Sequence, residues 1–237
     1  MRREATLQRL EKRVDKLCGS IDYYLDSFEK SKPFTGPSVY FHDKTLEMRR
    51  SHKSPSSLLA DDRFFDYLYA TLAAWGMHRM GPKGAKLLPL PEIVASFAEG
   101  RQLLNDFWNT HLASVLDGQV GEVGATVLEL LSSLKVSATK AKLVASSKAL
   151  HHLLPDLVPP IDREYTLRFF FNNKIVAGDG AQQFLDVFRG YHQIAKRAQD
   201  ALAASLDKDG FSGSVPKVID NAIVGYVIEE LRAPAVP

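Results

Sequence analysis

The stretch EATLQRLEKRVDKLCGSIDYYLDSFEK, Glu4–Lys30, places Leu7, Leu10, Val14, Leu17, Ile21, Leu25 and Phe28 three or four residues apart. That spacing puts all seven side chains on one stripe of a helix, so it predicts one amphipathic helix over Glu4–Lys30. The same period recurs along the chain. It predicts further helices from Pro55 or Ser57 to Met77 and at Pro91–Leu116, Glu122–Leu134, Ala138–Leu154, Arg163–Asn172, Ala181–Leu206 and Val215–Leu231. Alternation with a period of two is confined to a few residues near KIVAG, Lys174–Gly178. Several boundaries follow from chemistry. Pro91 suits a first helical turn, Asp179 can cap the helix that begins AQQFLDVF, and Pro155 must end the helix before it. GPKG, Gly81–Gly84, is expected to stop the second helix. Pro33, Gly36 and Pro37 break the pattern, so Ser31–Pro55 is expected to be mostly loop, with a short helix around Lys44–Arg50. The fold class predicted is all-α. A single two-lobed helical domain of about eight helices is expected over residues 1–237.

Composition narrows the function. The 237 residues are 45% hydrophobic, enough for a sizeable core. Thirty Lys and Arg oppose 28 Asp and Glu, a formal charge of +2, so any contact with nucleic acid must come from a local patch rather than a cationic tail. A single cysteine, Cys18, excludes an internal disulfide and a Cys-rich zinc site. The charged start MRREATLQRLEKR lacks the apolar run of a signal peptide, and no apolar run reaches the ~18 residues of a membrane span. A soluble cytoplasmic monomer with no membrane contact is expected.

Several chemistries can be set aside. GPKGAK, Gly81–Lys86, lacks the length and the Ser or Thr of a phosphate-binding P-loop and follows a helix rather than a strand. His42, His52, His78, His111 and His192 lack ligand spacing, so neither a metal nor another cofactor is expected. Two stretches remain. In LYATLAAWGMHRMGPKGAK, Trp75 offers a stacking face while His78 and Arg79 supply donors, which suits a pocket wall; the alternative is a core helix with a cationic C-terminus. In KLVASSKALHHLLPDLVPPIDREYT, Lys142–Thr166, two hydroxyls precede Lys148, Pro155 breaks the helix, and the proline pair of DLVPP holds Asp162 at a fixed place.

The residues LVASSK, Leu143–Lys148, followed by PPID, Pro159–Asp162, resemble the hairpin and helix-opening aspartate of the helix-hairpin-helix DNA glycosylase superfamily. The family's hairpin glycines are replaced here within Val144–Ser147. The resemblance covers about residues 121–172, and it implies a hairpin-like element in that region and excision of a base from double-stranded DNA. Such an enzyme rotates the nucleotide out of the duplex, anchors the distorted backbone and stabilises positive charge on the sugar as the glycosidic bond breaks. On this likeness Asp162 stabilises the oxocarbenium-like sugar and orients a water. Ser146 and Ser147, with Lys148, Lys142, Arg163 and Arg168, are expected to clamp DNA phosphates. Lys148 has a second implied role, as the Schiff-base nucleophile of the lyase branch, although simple hydrolysis to an abasic site is the expected outcome. Trp75, His78, Tyr40 and Tyr165 are the candidates for the base pocket, with Ser31–Pro55 as a lid or lining. A modified, enlarged base and a role in base excision repair or phage defence are implied. Two other readings remain open: a non-catalytic nucleic-acid-binding module and a protein-interaction scaffold.

Overall fold

The computed structural model describes residues 2–77, 86–139, 142–207 and 211–231. Among them are thirteen α-helices: α1 (Arg2–Gly19), α2 (Ile21–Ser31), α3 (Pro37–Ser51), α4 (Pro55–Leu59), α5 (Asp62–Leu72), α6 (Leu90–Glu99), α7 (Arg101–Phe107), α8 (Val120–Ser133), α9 (Leu143–Leu153), α10 (Thr166–Phe171), α11 (Ala181–Arg197), α12 (Gln199–Ala204) and α13 (Val215–Tyr226). Two π-helical turns, Ala73–Met77 and Val227–Leu231, continue α5 and α13. The described residues hold only isolated β-bridges, Leu87 with Ser137 and Asp207 with Ser212, so the chain is all-α. KIVAG is loop, not strand. No helix among the described residues is long and apolar enough to cross a membrane.

There are more helices than the expected eight because short breaks split four of the long periodic segments and because α3 is added. Glu4–Lys30 divides at Ser20, between α1 and α2, yet Val14, Leu17, Ile21 and Phe28 still enter the core. The short helix expected around Lys44–Arg50 is present but longer, and the expected loop around it is corrected: α3 fills fifteen residues of Ser31–Pro55. Pro37 sits in the first turn of α3, where the missing N–H has no helical partner to lose. Gly36 precedes it at φ 60°, a left-handed conformation that glycine adopts without strain. The residues read as breakers are the start of the helix. Pro91 and Pro155 behave as expected, one in the first turn of α6 and one just after α9. Asp179 accepts the Ala181 N–H at 2.9 Å and so caps α11 from just outside it. Gly81–Gly84 lies outside the described residues.

One continuous apolar cluster joins the chain from Val14 in α1 to Val227. Its most enclosed helix is α13, where every residue from Pro216 to Tyr226 is buried. A helix buried all round must pair its polar side chains internally, and α13 carries Lys217, Asp220 and Asn221. It crosses α2 so closely that a Cβ on Gly225 would fall 1.8 Å from the Tyr24 carbonyl oxygen. Two arginines bind distant elements. Arg13 of α1 donates to the Arg168 and Phe169 carbonyls and to Asn172 Oδ1, closing the C-terminal end of α10. Arg49 of α3 donates to the Leu153 and Trp108 carbonyls and stacks 3.2 Å from the centre of the Trp108 ring. Its burial pulls its pKa down to about 10.

Candidate functional site

The segment that decides the site begins with α9. Leu143–Lys148 is its first turns, with no hairpin in it. This corrects the expected hairpin, because the small residues of LVASSK serve close packing rather than a tight turn. Ser146 and Ser147 are fully buried. Ser147 Oγ donates to the Val144 carbonyl at 3.1 Å and accepts the Ile161 N–H at 3.2 Å, which pins the extended Val158–Asp162 strand-like segment to α9. Neither serine faces solvent, so their expected role as phosphate clamps is corrected as well.

The extended segment delivers Asp162. Its Oδ1 accepts the Tyr165 N–H at 2.7 Å, its own N–H donates to Thr166 Oγ1 at 3.1 Å, and its carbonyl accepts from Leu167. It therefore caps the turn that leads into α10, as aspartate does at helix starts. One carboxyl oxygen is committed to the cap. Oδ2 makes no hydrogen bond with a described residue, and Asp162 lines a cavity of about 630 Å³. Burial pushes the carboxyl above the usual carboxylate range, against the pull of the Lys148 ammonium and the Tyr165 N–H, while Asp220 adds to the rise.

The same cavity gathers Trp75, Lys148, Arg163 and Tyr165 from the sequence candidates. Trp75 stands on the π-helical turn, where Trp75 and Gly76 leave helical geometry and Gly76 reaches φ 79°. Such turns place one extra residue in a helix and re-aim its side chains. The indole N–H donates to the Ser38 carbonyl of α3 at 3.1 Å, which fixes the ring. Lys148 Nζ lies 5.1 Å from that ring's centre, within range of a cation–π attraction.

Not every candidate converges. Tyr40 is 55% exposed on α3 and packs edge-on to Phe41, away from the cavity lining. Lys142 is exposed just before α9. Arg168 pairs with Glu164 at 3.1 Å outside the lining. His78 lies outside the described residues, as do Arg79 and Lys140. Sequence reasoning missed Phe34, Lys86, Ser137, Thr139 and Glu164, which complete the wall. The Leu87–Ser137 bridge brings two of these segments together, and no sequence pattern announced that pairing.

Behind Trp75 lies a neutral histidine layer. The His152 Nδ1–H donates to the Lys148 carbonyl at 2.7 Å, leaving Nε2 to accept from His42 Nδ1 at 2.9 Å. His151 Nδ1 donates to the Val158 carbonyl at 2.8 Å. Burial holds all three well towards neutrality, with His152 pushed down to about 4. No group of three or more metal-ligating side chains forms among the described residues.

The cavity thus offers an aromatic face, cations and a carboxyl with one free oxygen. Lys86, Lys148 and Arg163 line it without an ion pair to any described residue. A hollow of about 350 Å³ elsewhere is lined by Asp117, Arg189, His192 and Lys196, but its histidine is occupied by the Val115 carbonyl at 2.8 Å. No protein-family model matches the chain, and neither a curated protein nor a solved structure does.

Proposed function

We propose that the chain is a DNA N-glycosylase that draws a modified base into the cavity of Trp75 and hydrolyses its glycosidic bond, leaving an abasic site. The observation that carries this reading is Asp162: one oxygen is fastened by Tyr165, and the other makes no hydrogen bond with a described residue, in a cavity that Trp75 and Lys148 also line. Pockets for ligands of this size measure about 300–1,000 Å³, and 630 Å³ takes a base with a substituent. An extruded base stacks on an aromatic face and is read along its edge by polar groups. Trp75 and Tyr165 supply the face; Ser137, Thr139 and Glu164 supply edge contacts.

Bond cleavage builds positive charge on the sugar, which a fixed carboxylate stabilises. Burial raises the proton affinity of Asp162, which also suits it to accept a proton from the attacking water. Lys148 and Arg163, with Lys86, attract the phosphates flanking the extruded nucleotide. In this reading Lys148 is an anchor, and its ammonium helps to keep Asp162 ionised.

The test is an incubation of the protein and its Asp162→Asn variant with duplexes carrying a range of modified bases, followed by alkali cleavage at abasic sites. Breaks made by the wild type and lost in the variant are expected. Salt-sensitive DNA binding with no Asp162-dependent break on any substrate would instead make the chain a non-catalytic binding module.

A further inference from the structure

Beneath Asp162 lies a layer of buried polar side chains that the reaction above leaves unused. Lys217 of α13, its side chain 2% exposed, donates to Asp220 Oδ2 at 2.6 Å and Asn221 Oδ1 at 2.8 Å, and its ammonium lies 4.1 Å from the centre of the Phe211 ring. Two further buried oxygens, the Tyr191 hydroxyl of α11 and Asp220 Oδ1, have no hydrogen-bond partner among the described residues. Tyr191 interacts with both Asp220 and Thr166, and Thr166 Oγ1 holds the Asp162 N–H at 3.1 Å. A buried hydroxyl and a buried carboxylate oxygen are each costly when unpaired and complementary when paired.

We propose that the Tyr191 hydroxyl closes a buried chain running from Lys217 through Asp220 and Thr166 to Asp162, which makes Tyr191 and Asp220 positioning residues for the Asp162 carboxyl. Its functional meaning rests on Asp162 being the working carboxyl proposed above.

The charged groups around Asp162 come from three packed helices and its own turn. Lys148 faces it from α9, Asp220 and Lys217 from α13, and Tyr191 from α11. Arg163, Glu164 and Tyr165 line the cavity beside it. Lys217 also faces His42 of α3 and His151 and His152 of α9, all held neutral by burial. Asp220 opposes ionisation of Asp162, whereas Lys148 and Lys217 favour it. A hydroxyl donated to Asp220 absorbs part of that negative field; its loss returns the field to Asp162.

The experiment is a carboxyl carbon NMR titration of protein labelled at aspartate, with the Asp162 signal assigned by its loss in Asp162→Asn. Tyr191→Phe is expected to raise the Asp162 midpoint by roughly half a pH unit, and Asp220→Asn to lower it by about one unit. Opposite shifts are the signature, because a general loosening of the core would not move the two variants in opposite directions. Tyr191→Phe removes one oxygen and keeps the ring stacked 6.0 Å from Phe170, so it decides alone if Asp220→Asn fails to fold. An Asp162 midpoint that does not rise in Tyr191→Phe overturns the proposal. The titration uses no substrate, so its result and that of the base-excision assay stand or fall separately.

Discussion

The Tyr165 backbone N–H donates to Asp162 Oδ1 at 2.7 Å, so the carboxyl that faces the cavity is also the fastener of the turn beneath it. The two roles separate by substitution. Asp162→Asn keeps an oxygen for Tyr165 and is expected to leave stability within about 1 kcal/mol while single-turnover excision falls by on the order of 10²–10⁴. Asp162→Ala loses the cap as well and is expected to cost about 1 kcal/mol more. Thermal denaturation beside single-turnover rates checks both. Equal stability losses in the two variants would mean that the carboxyl is no fastener.

In the proposed reaction Trp75 supplies the stacking face, so Trp75→Ala is expected to weaken binding of a modified-base duplex by about 1–3 kcal/mol. Fluorescence anisotropy with an uncleaved duplex of the Asp162→Asn protein reads this directly. Borohydride added to a reacting mixture is expected to trap no covalent adduct. An adduct that disappears in Lys148→Ala would make that lysine the nucleophile.

Arg163 is exposed at the cavity rim and free of any ion pair with a described residue. Arg163→Ala is expected to reduce the slope of log affinity against log salt by about one, with little change in base preference. A slope equal to that of the wild type would remove Arg163 from the DNA contact.

Acid should loosen the fold through His42, His151 and His152. Their folded pKa values lie below the ordinary 6.5, so between those values and 6.5 the unfolded chain binds more protons. Stability is therefore complete above about pH 6.5 and declines as pH falls towards about 4, the value for His152. Each histidine contributes up to about 1.4 kcal/mol per pH unit within its own window. Asp162 acts in the opposite sense: its raised pKa adds stability that is lost as pH rises through it. Urea unfolding from pH 7 to pH 4.5 is expected to show the histidine loss as the larger effect.

Gly225 permits the crossing of α2 over α13. Gly225→Ala would place a methyl group 1.8 Å from the Tyr24 carbonyl oxygen, in rigid backbone. A loss of at least about 3 kcal/mol is expected. Equilibrium unfolding measures it, and an alanine variant as stable as the parent would mean that the helices cross farther apart.

The helical class was legible because Leu7 through Phe28 repeat at helical spacing, and from Val14 to Phe28 burial follows that stripe even where Ser20 interrupts it. Only the second half of α3 was legible, as the short helix around Lys44–Arg50; its start was not, since Pro33, Gly36 and Pro37 carry the same residue types whether they end a helix or begin one. Asp162 and Trp75 were readable by type: a carboxylate behind a proline pair, and an indole at a glycine. Their shared cavity was not, because Trp75 stands on a π-helical turn and the wall is completed by a bridge between Leu87 and Ser137, neither of which has a period. The serines misled for a related reason. Small hydroxyl side chains suit a phosphate turn and a tight helix contact equally, and in α9 the contact prevails. Lys217 had a signal that went unread, since a lysine followed at three and four positions by Asp and Asn can be neutralised within its own helix.

The grip of Arg13 on the end of α10 and the seat of α2 against α13 also bear on synthesis. Helices α1 and α2 are synthesised well before α10 and α13, which pack against them in the folded chain. A nascent chain with this contact pattern holds the apolar stripes of those two early helices exposed until the later helices emerge, and its folding waits on the slow pairing of segments far apart in sequence.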